Sequence, residues 1–236
     1  MRRALLVLLC WPLLMGAAAS SRIYDGTNDE TDFGAVLDVT TNDVSQCIWV
    51  NTTEDASVDF IQGKKNGTGT AAGYLLACPG TDTITFHIAD GTDESHATGS
   101  SDNDGVWVFA CGTWNAATTT ASIYVNETLE DTTTNALVGS LTNAVNFQVG
   151  EGPPDDNDAN MLAAYGQVYL SKVLTLSEMA EAHHKIGSLA ADFLAPLVGD
   201  NPEPDWQGKL SGTVSGTDAS STSGPPTMMG PWGAAP

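Results

Sequence analysis

Residues 105–126 read GVWVFACGTWNAATTTASIYVN, and this stretch constrains the fold more than any other. Trp107 to Cys111 is an apolar run of aromatic, β-branched and small residues. It is too short for a helix and suits a pleated, buried surface. Asn115 to Thr120 is small and polar, Ala121 to Val125 is strand-like again, and Asn126-Glu127 stands where a tight reversal places its polar tip. Two strands and the start of a hairpin are therefore legible in one short segment.

The same signature repeats along the chain. Turn clusters separate strand-like runs at 74–78, 83–89, 94–98, 106–114, 120–125, 128–133, 144–149 and 162–170, a spacing that predicts an antiparallel sandwich. Gly, Thr, Ser, Asn and Asp are abundant and only one segment reads as helix, so the composition is all-β. Alternation assigns Val44, Ile48, Phe86, Ile88, Phe109, Ile123, Val125, Phe147, Val149, Val168 and Leu170 to the core. The helix is expected at Thr175-Leu176-Ser177-Glu178, which has the form of a capping box, and is expected to run to about Ile186, before Gly187.

Residues 1–19 carry two arginines, an apolar run from Ala4 to Met15 and three small residues, Ala17 to Ala19, and read as a secretory signal peptide. No later run is apolar and long enough to predict stable membrane insertion. From about Asp192 onward Pro, Gly, Ser and Thr dominate, while Phe193, Leu194, Leu197, Trp206, Leu210 and Val214 predict partial docking. The expected organisation is a leader over 1–19, a sandwich over 20–190 and a partly docked, irregular tail over 191–236.

The order Gly105-x-Trp107, Gly112-Thr113-Trp114, Ile123-Tyr124-Val125-Asn126 resembles the laminin-G-like jelly-roll domains of the concanavalin A-like lectin and glucanase superfamily. Ile23 to Asp29 is similar to that family's opening strand and loop, Asp43 to Val50 to its next core strand, and Gly73–Cys78 with Thr83 to Asp90 to the following hairpin. Tyr165 to Leu174 resembles the last strand and Leu174 to Met179 the closing helix, so the likeness spans roughly 22–186. Two positions depart from the family pattern. Gly166-Gln167 stands where members often carry an acidic pair, and Glu127 where a Gly often follows the hairpin Asn. The tail from Pro202 to Gly216 is similar to tails of laminin-G-like proteins from bacteriophage and environmental viral sequences. The resemblance implies a concanavalin A-like jelly roll with one short C-terminal helix.

The formal charge is −21, from 29 acidic and 8 basic residues. Such a surface repels phosphate backbones, so nucleic acid is not an expected partner. It keeps a protein soluble and also suits divalent cations. Cys10 lies in the leader, and Cys47, Cys78 and Cys111 lie in strand-like runs. Three cysteines cannot all pair within one chain. A Cys78–Cys111 bridge is one reading, and buried free thiols are the preferred one.

The densest acidic loops are 151–158 and 102–105. Calcium takes about six to eight oxygen ligands, which such loops supply. Counting strands up and down brings the loops at 99–105 and 150–160 to one pole with the hairpin tip at Asn126. Asp102, Asp104, Asp155, Asp156 and Asp158 are therefore the candidate calcium ligands. Neither loop has EF-hand spacing, and acidic loops in so acidic a chain are more often simply solvated.

Aromatic faces stack on sugar rings while amides and carboxylates bond the hydroxyls. Trp49, Trp107 and Trp114 lie in strand patterns, where tryptophan is more often core. Trp114, beside the 115–119 turn, is expected to be the most exposed of the three. Trp114 and Asn126 are the candidate glycan contacts, although the 115–119 turn falls at the pole opposite the acidic loops. Catalysis is not expected: the Glu-x-Asp-x-x-Glu run of related glucanases is absent, and residues 127–131 have the wrong spacing. His87, His96, His183 and His184 show no metal-ligand spacing, and the adjacent His183 and His184 are expected on different sides of the helix. What the family resemblance implies is an exported, non-catalytic module that recognises a glycan or surface polymer, with a structural virion protein, docked on neighbouring subunits at the virion surface, as the alternative.

Overall fold

The computed structural model describes residues 20–52, 59–79, 83–100, 104–152, 159–216 and 220–226. The expected leader, together with Asp102, Asp155, Asp156 and Asp158, lies outside them. The chain opens with β1 (Ser21–Asp25), β2 (Glu30–Asp32), β3 (Val44–Thr52), β4 (Asp59–Lys65), β5 (Gly73–Cys78) and β6 (Thr85–Ala89). It continues through β7 (Glu94–Thr98), β8 (Val108–Asn115), β9 (Thr120–Val125), β10 (Thr128–Thr134), β11 (Gln148–Val149) and β12 (Asn160–Leu170). After α1 (Leu176–His184) come β13 (Phe193–Ala195), β14 (Glu203–Pro204), β15 (Ser211–Ser215) and β16 (Ser220–Ser221).

These strands form two antiparallel sheets. The first has the order β10-β9-β8-β3-β12-β1-β16, with β13 also lying along β12, and the second the order β14-β15-β2-β11-β4-β5-β6-β7. The expected all-β sandwich with one short helix is what the chain forms. The sandwich is expected to end near residue 190. The structure carries strands beyond that point: β13, β15 and β16 pair with β12, β2 and β1, so the last segment extends both sheets.

Period-two alternation builds the layers. Val44, Ile48, Val50, Ile123, Val125 and Val168 of the first sheet face Ile61, Leu76, Phe86, Ile88, Phe147 and Val149 of the second. Phe109 departs from its expected place in this core. It points to the outer face of the first sheet, where Cys47, Trp49, Cys111, Tyr169, Met179 and Ala182 form a second cluster beneath α1. Both faces of β3 and β8 are therefore buried, which is why the runs 47–50 and 108–111 within them read as continuously apolar rather than alternating.

The helix starts where the capping box predicts. Thr175 Oγ1 accepts from the Glu178 N–H and the Glu178 carboxylate accepts from the Thr175 N–H, which satisfies early donors that no helical carbonyl reaches. Cys47 and Cys111 stand directly opposite each other on β3 and β8 and are joined in a disulfide, while Cys78 is buried and takes no part in a disulfide. The Cys78–Cys111 bridge is thereby excluded: the Cys111 sulfur is bonded to Cys47 on the outer face of the first sheet, whereas Cys78 lies in the inner core.

Candidate functional site

The described ends of the two expected acidic loops meet at one pole. Asp104 bridges Thr52 at the end of β3, the Gly105 N–H donates to the Thr52 carbonyl at 2.7 Å, and Met161 at the start of β12 pairs with the same Thr52. The hairpin tip joins them: the Asn126 N–H donates to the Phe109 carbonyl at 2.9 Å, and Asn126 Oδ1 accepts from the Phe109 N–H at 3.0 Å. Asn126 therefore spends its side-chain acceptor on the start of β8. Of the expected calcium ligands, Asp104 is described and exposed at this pole.

Trp114 is not the exposed platform that its place beside a turn predicts. It is 2% exposed, because the register of β8 turns Val108, Ala110 and Trp114 toward the inner core together. Beside it at the opposite pole is a shallow depression lined by Thr41, Asn42, Asp43, Ala116, Ala117 and Ser171. Asp43 closes that pole, accepting from the Ala116 and Ser171 N–H groups at 2.8 Å each.

His183 and His184 do not diverge. Glu127 Oε1 lies 2.6 Å from His183 Nδ1 and 2.8 Å from His184 Nε2. The helix separates the two side chains by about 100°, but one imidazole uses its near nitrogen and the other its far one, so both reach an oxygen beside the last turn. The His183 ring lies parallel to Phe109 at 4.7 Å, contacts Trp49 at 4.7 Å, and carries the His184 ring at 4.0 Å. Burial lowers the His183 pKa from its ordinary value, and the hydrogen bond to Glu127 works against that shift. The three donor atoms lie within 4.8 Å of one another, the one such convergence of three His, Cys or acidic groups among the described residues.

A second surface feature comes from the segment expected as a tail. Asp205 and Gly208 close a turn with a 2.8 Å backbone hydrogen bond, Asp205 Oδ1 accepts from the Leu194 and Gln207 N–H groups, and Gly208 takes φ +70°. Asp at the first position and Gly at the fourth suit such a turn. The turn leaves Trp206 53% exposed, with the Tyr165 ring edge-on at 6.1 Å. Tyr165 itself sits in a bulge of β12, at φ +55°, where two residues oppose one of β3. The Asp-Trp-Gln-Gly run was the signal available for Trp206. Nothing local marked Tyr165.

A family model described as the concanavalin A-like lectin/glucanases superfamily, Laminin_G_3, matches residues 25–180. The chain belongs to the Laminin_G_3 family. The Laminin_G_3 fold is shared by solved structures of low identity. A heptameric SAP-like pentraxin from Limulus polyphemus is 11% identical with a TM-score of 0.60, covering 86% of this chain and 94% of its own. A protein designated carbohydrate-binding from Bacteroides ovatus is 14% identical with a TM-score of 0.68, over 88% of this chain and 60% of that one. The sialidase module CBM40 of Ruminococcus gnavus, bound to α2,3 sialyllactose, is 14% identical with a TM-score of 0.51, over 70% and 97%. No curated protein matches the chain. The buried amide of Gln167 is structural: it donates to the Ala182 carbonyl at 3.4 Å and accepts from the Tyr169 hydroxyl at 2.6 Å.

Proposed function

We propose that this protein is a non-catalytic carbohydrate-recognition module. The observation that carries the reading is the exposed Trp206 ring, held on a tight turn and braced by Tyr165. A rigid aromatic plane open to solvent is what the apolar face of a sugar ring stacks on. Family membership supports the reading, as do the Bacteroides protein and the sialyllactose-bound module. The charge of −21 favours a neutral or cationic polymer over nucleic acid. The Cys47–Cys111 disulfide fits an oxidising, extracytoplasmic location. β13, β14 and β15 pair within the chain, which supports this reading over a virion scaffold whose tail docks on neighbouring subunits.

Glycan-array screening followed by calorimetry tests the proposal. Trp206→Ala should weaken binding of the best glycan at least about tenfold, the equivalent of losing about 1.4 kcal/mol of stacking, while circular dichroism shows the fold retained. Absence of binding to every glycan, or equal affinity in the variant, would remove it. Calcium at the Asp104 pole, shared with Asp102, Asp155, Asp156 and Asp158, extends the same proposal. Melting in calcium against chelator at matched ionic strength checks it, and identical melting temperatures would leave those carboxylates as a solvated surface.

A further inference from the structure

The cluster of Glu127, His183 and His184 is independent of the glycan reading. Glu127 occupies a turn position at φ +67°, in the left-handed region where glycine is relaxed and a glutamate is strained. Its carboxylate nevertheless meets two imidazoles from α1, and His183 is held in place between Phe109 and Trp49. His184 is 64% exposed, so the cluster opens to solvent.

We infer that Glu127, His183 and His184 form a three-ligand site for a borderline divalent transition metal, of which Zn²⁺ is the type. Two imidazole nitrogens and one carboxylate oxygen suit zinc, nickel or copper, whereas calcium and magnesium prefer all-oxygen shells. Metal–ligand distances of about 2.0–2.1 Å in a tetrahedral shell set donor atoms about 3.3 Å apart. The Glu127 oxygen therefore opens slightly from its present 2.6 and 2.8 Å contacts, and the exposed His184 ring closes toward His183. The fourth position faces solvent and accepts water or a ligand. A bound ion would pin the β9–β10 hairpin tip to the end of α1.

The test is calorimetric titration of the EDTA-treated, dialysed full chain with ZnCl2 in excess CaCl2, which occupies oxygen-only acidic sites. One saturable zinc equivalent is expected, with a rise in melting temperature. His184→Ala removes a mostly exposed ring and should keep the melting temperature seen in EDTA. It should weaken zinc at least about tenfold, the lower end of what losing even an outer partner costs a metal site. Glu127→Gly, which relaxes the turn, should weaken zinc as much, and His96→Ala should leave it unchanged. No saturable zinc binding by the wild type, or wild-type affinity in both His184→Ala and Glu127→Gly, would overturn the site and leave a hydrogen-bonded helix end.

Discussion

Gly112 has no room for a side chain: a Cβ built there would lie 2.2 Å from the Phe86 ring across the sandwich. Overpacking of this kind typically costs about 1–3 kcal/mol, so Gly112→Ala should lower the urea midpoint with little change in slope. Cysteine pairing is decided at the same scale. Cys47 and Cys111 are 64 residues apart in sequence yet face each other across β3 and β8. Non-reducing digestion should yield one Cys47–Cys111 linked peptide and no Cys78 cross-link. Reducing that bridge should cost the fold about 2–4 kcal/mol, read as a lower denaturation midpoint in reductant.

At the scale of elements, α1 is the segment whose start is set by local chemistry. Hydrogen bonding from Lys172, and then from Thr175, holds the Glu178 carboxyl at about 2, below its ordinary value of 4.5. A depressed carboxyl stabilises the folded state above its unfolded value and ceases to do so as protons bind. The capping interaction should therefore be intact above pH 4.5 and lost as pH falls from there toward about 2. Amide exchange in the first turn, followed across that window, checks the direction. Thr175→Ala removes the cap oxygen and should cost about 0.5–2 kcal/mol in denaturant unfolding. The helix matters beyond its own length because it covers the outer face of the first sheet and brings His183 and His184 to the hairpin tip.

For the whole molecule, the last segment behaves as part of the sandwich. Arg22 of β1 and Glu203 of β14 are both fully buried, 3.6 Å apart, and Arg22 Nη2 also donates to the Asp200 carbonyl at 2.6 Å. Burial pushes the Glu203 carboxyl up, against the Val198 N–H and Arg22, which favour its charge. Breaking a buried pair from one side typically costs about 3–5 kcal/mol. Truncation after Ala195 should therefore destabilise by at least that much, and Glu203→Ala alone by a similar amount, both measured by chemical denaturation. The sequence by itself determined the strands from 74 to 134 and from 160 to 170, their succession along the chain and the capped helix, because period-two alternation, turn residues and caps act between near neighbours. Tertiary structure alone decided that Trp114 turns inward, that Phe109 turns outward, that Cys47 pairs with Cys111, and that Glu127 meets histidines 56 and 57 residues away. Alternation states that successive side chains take opposite faces, but which face becomes the interior depends on which distant strand or helix covers it.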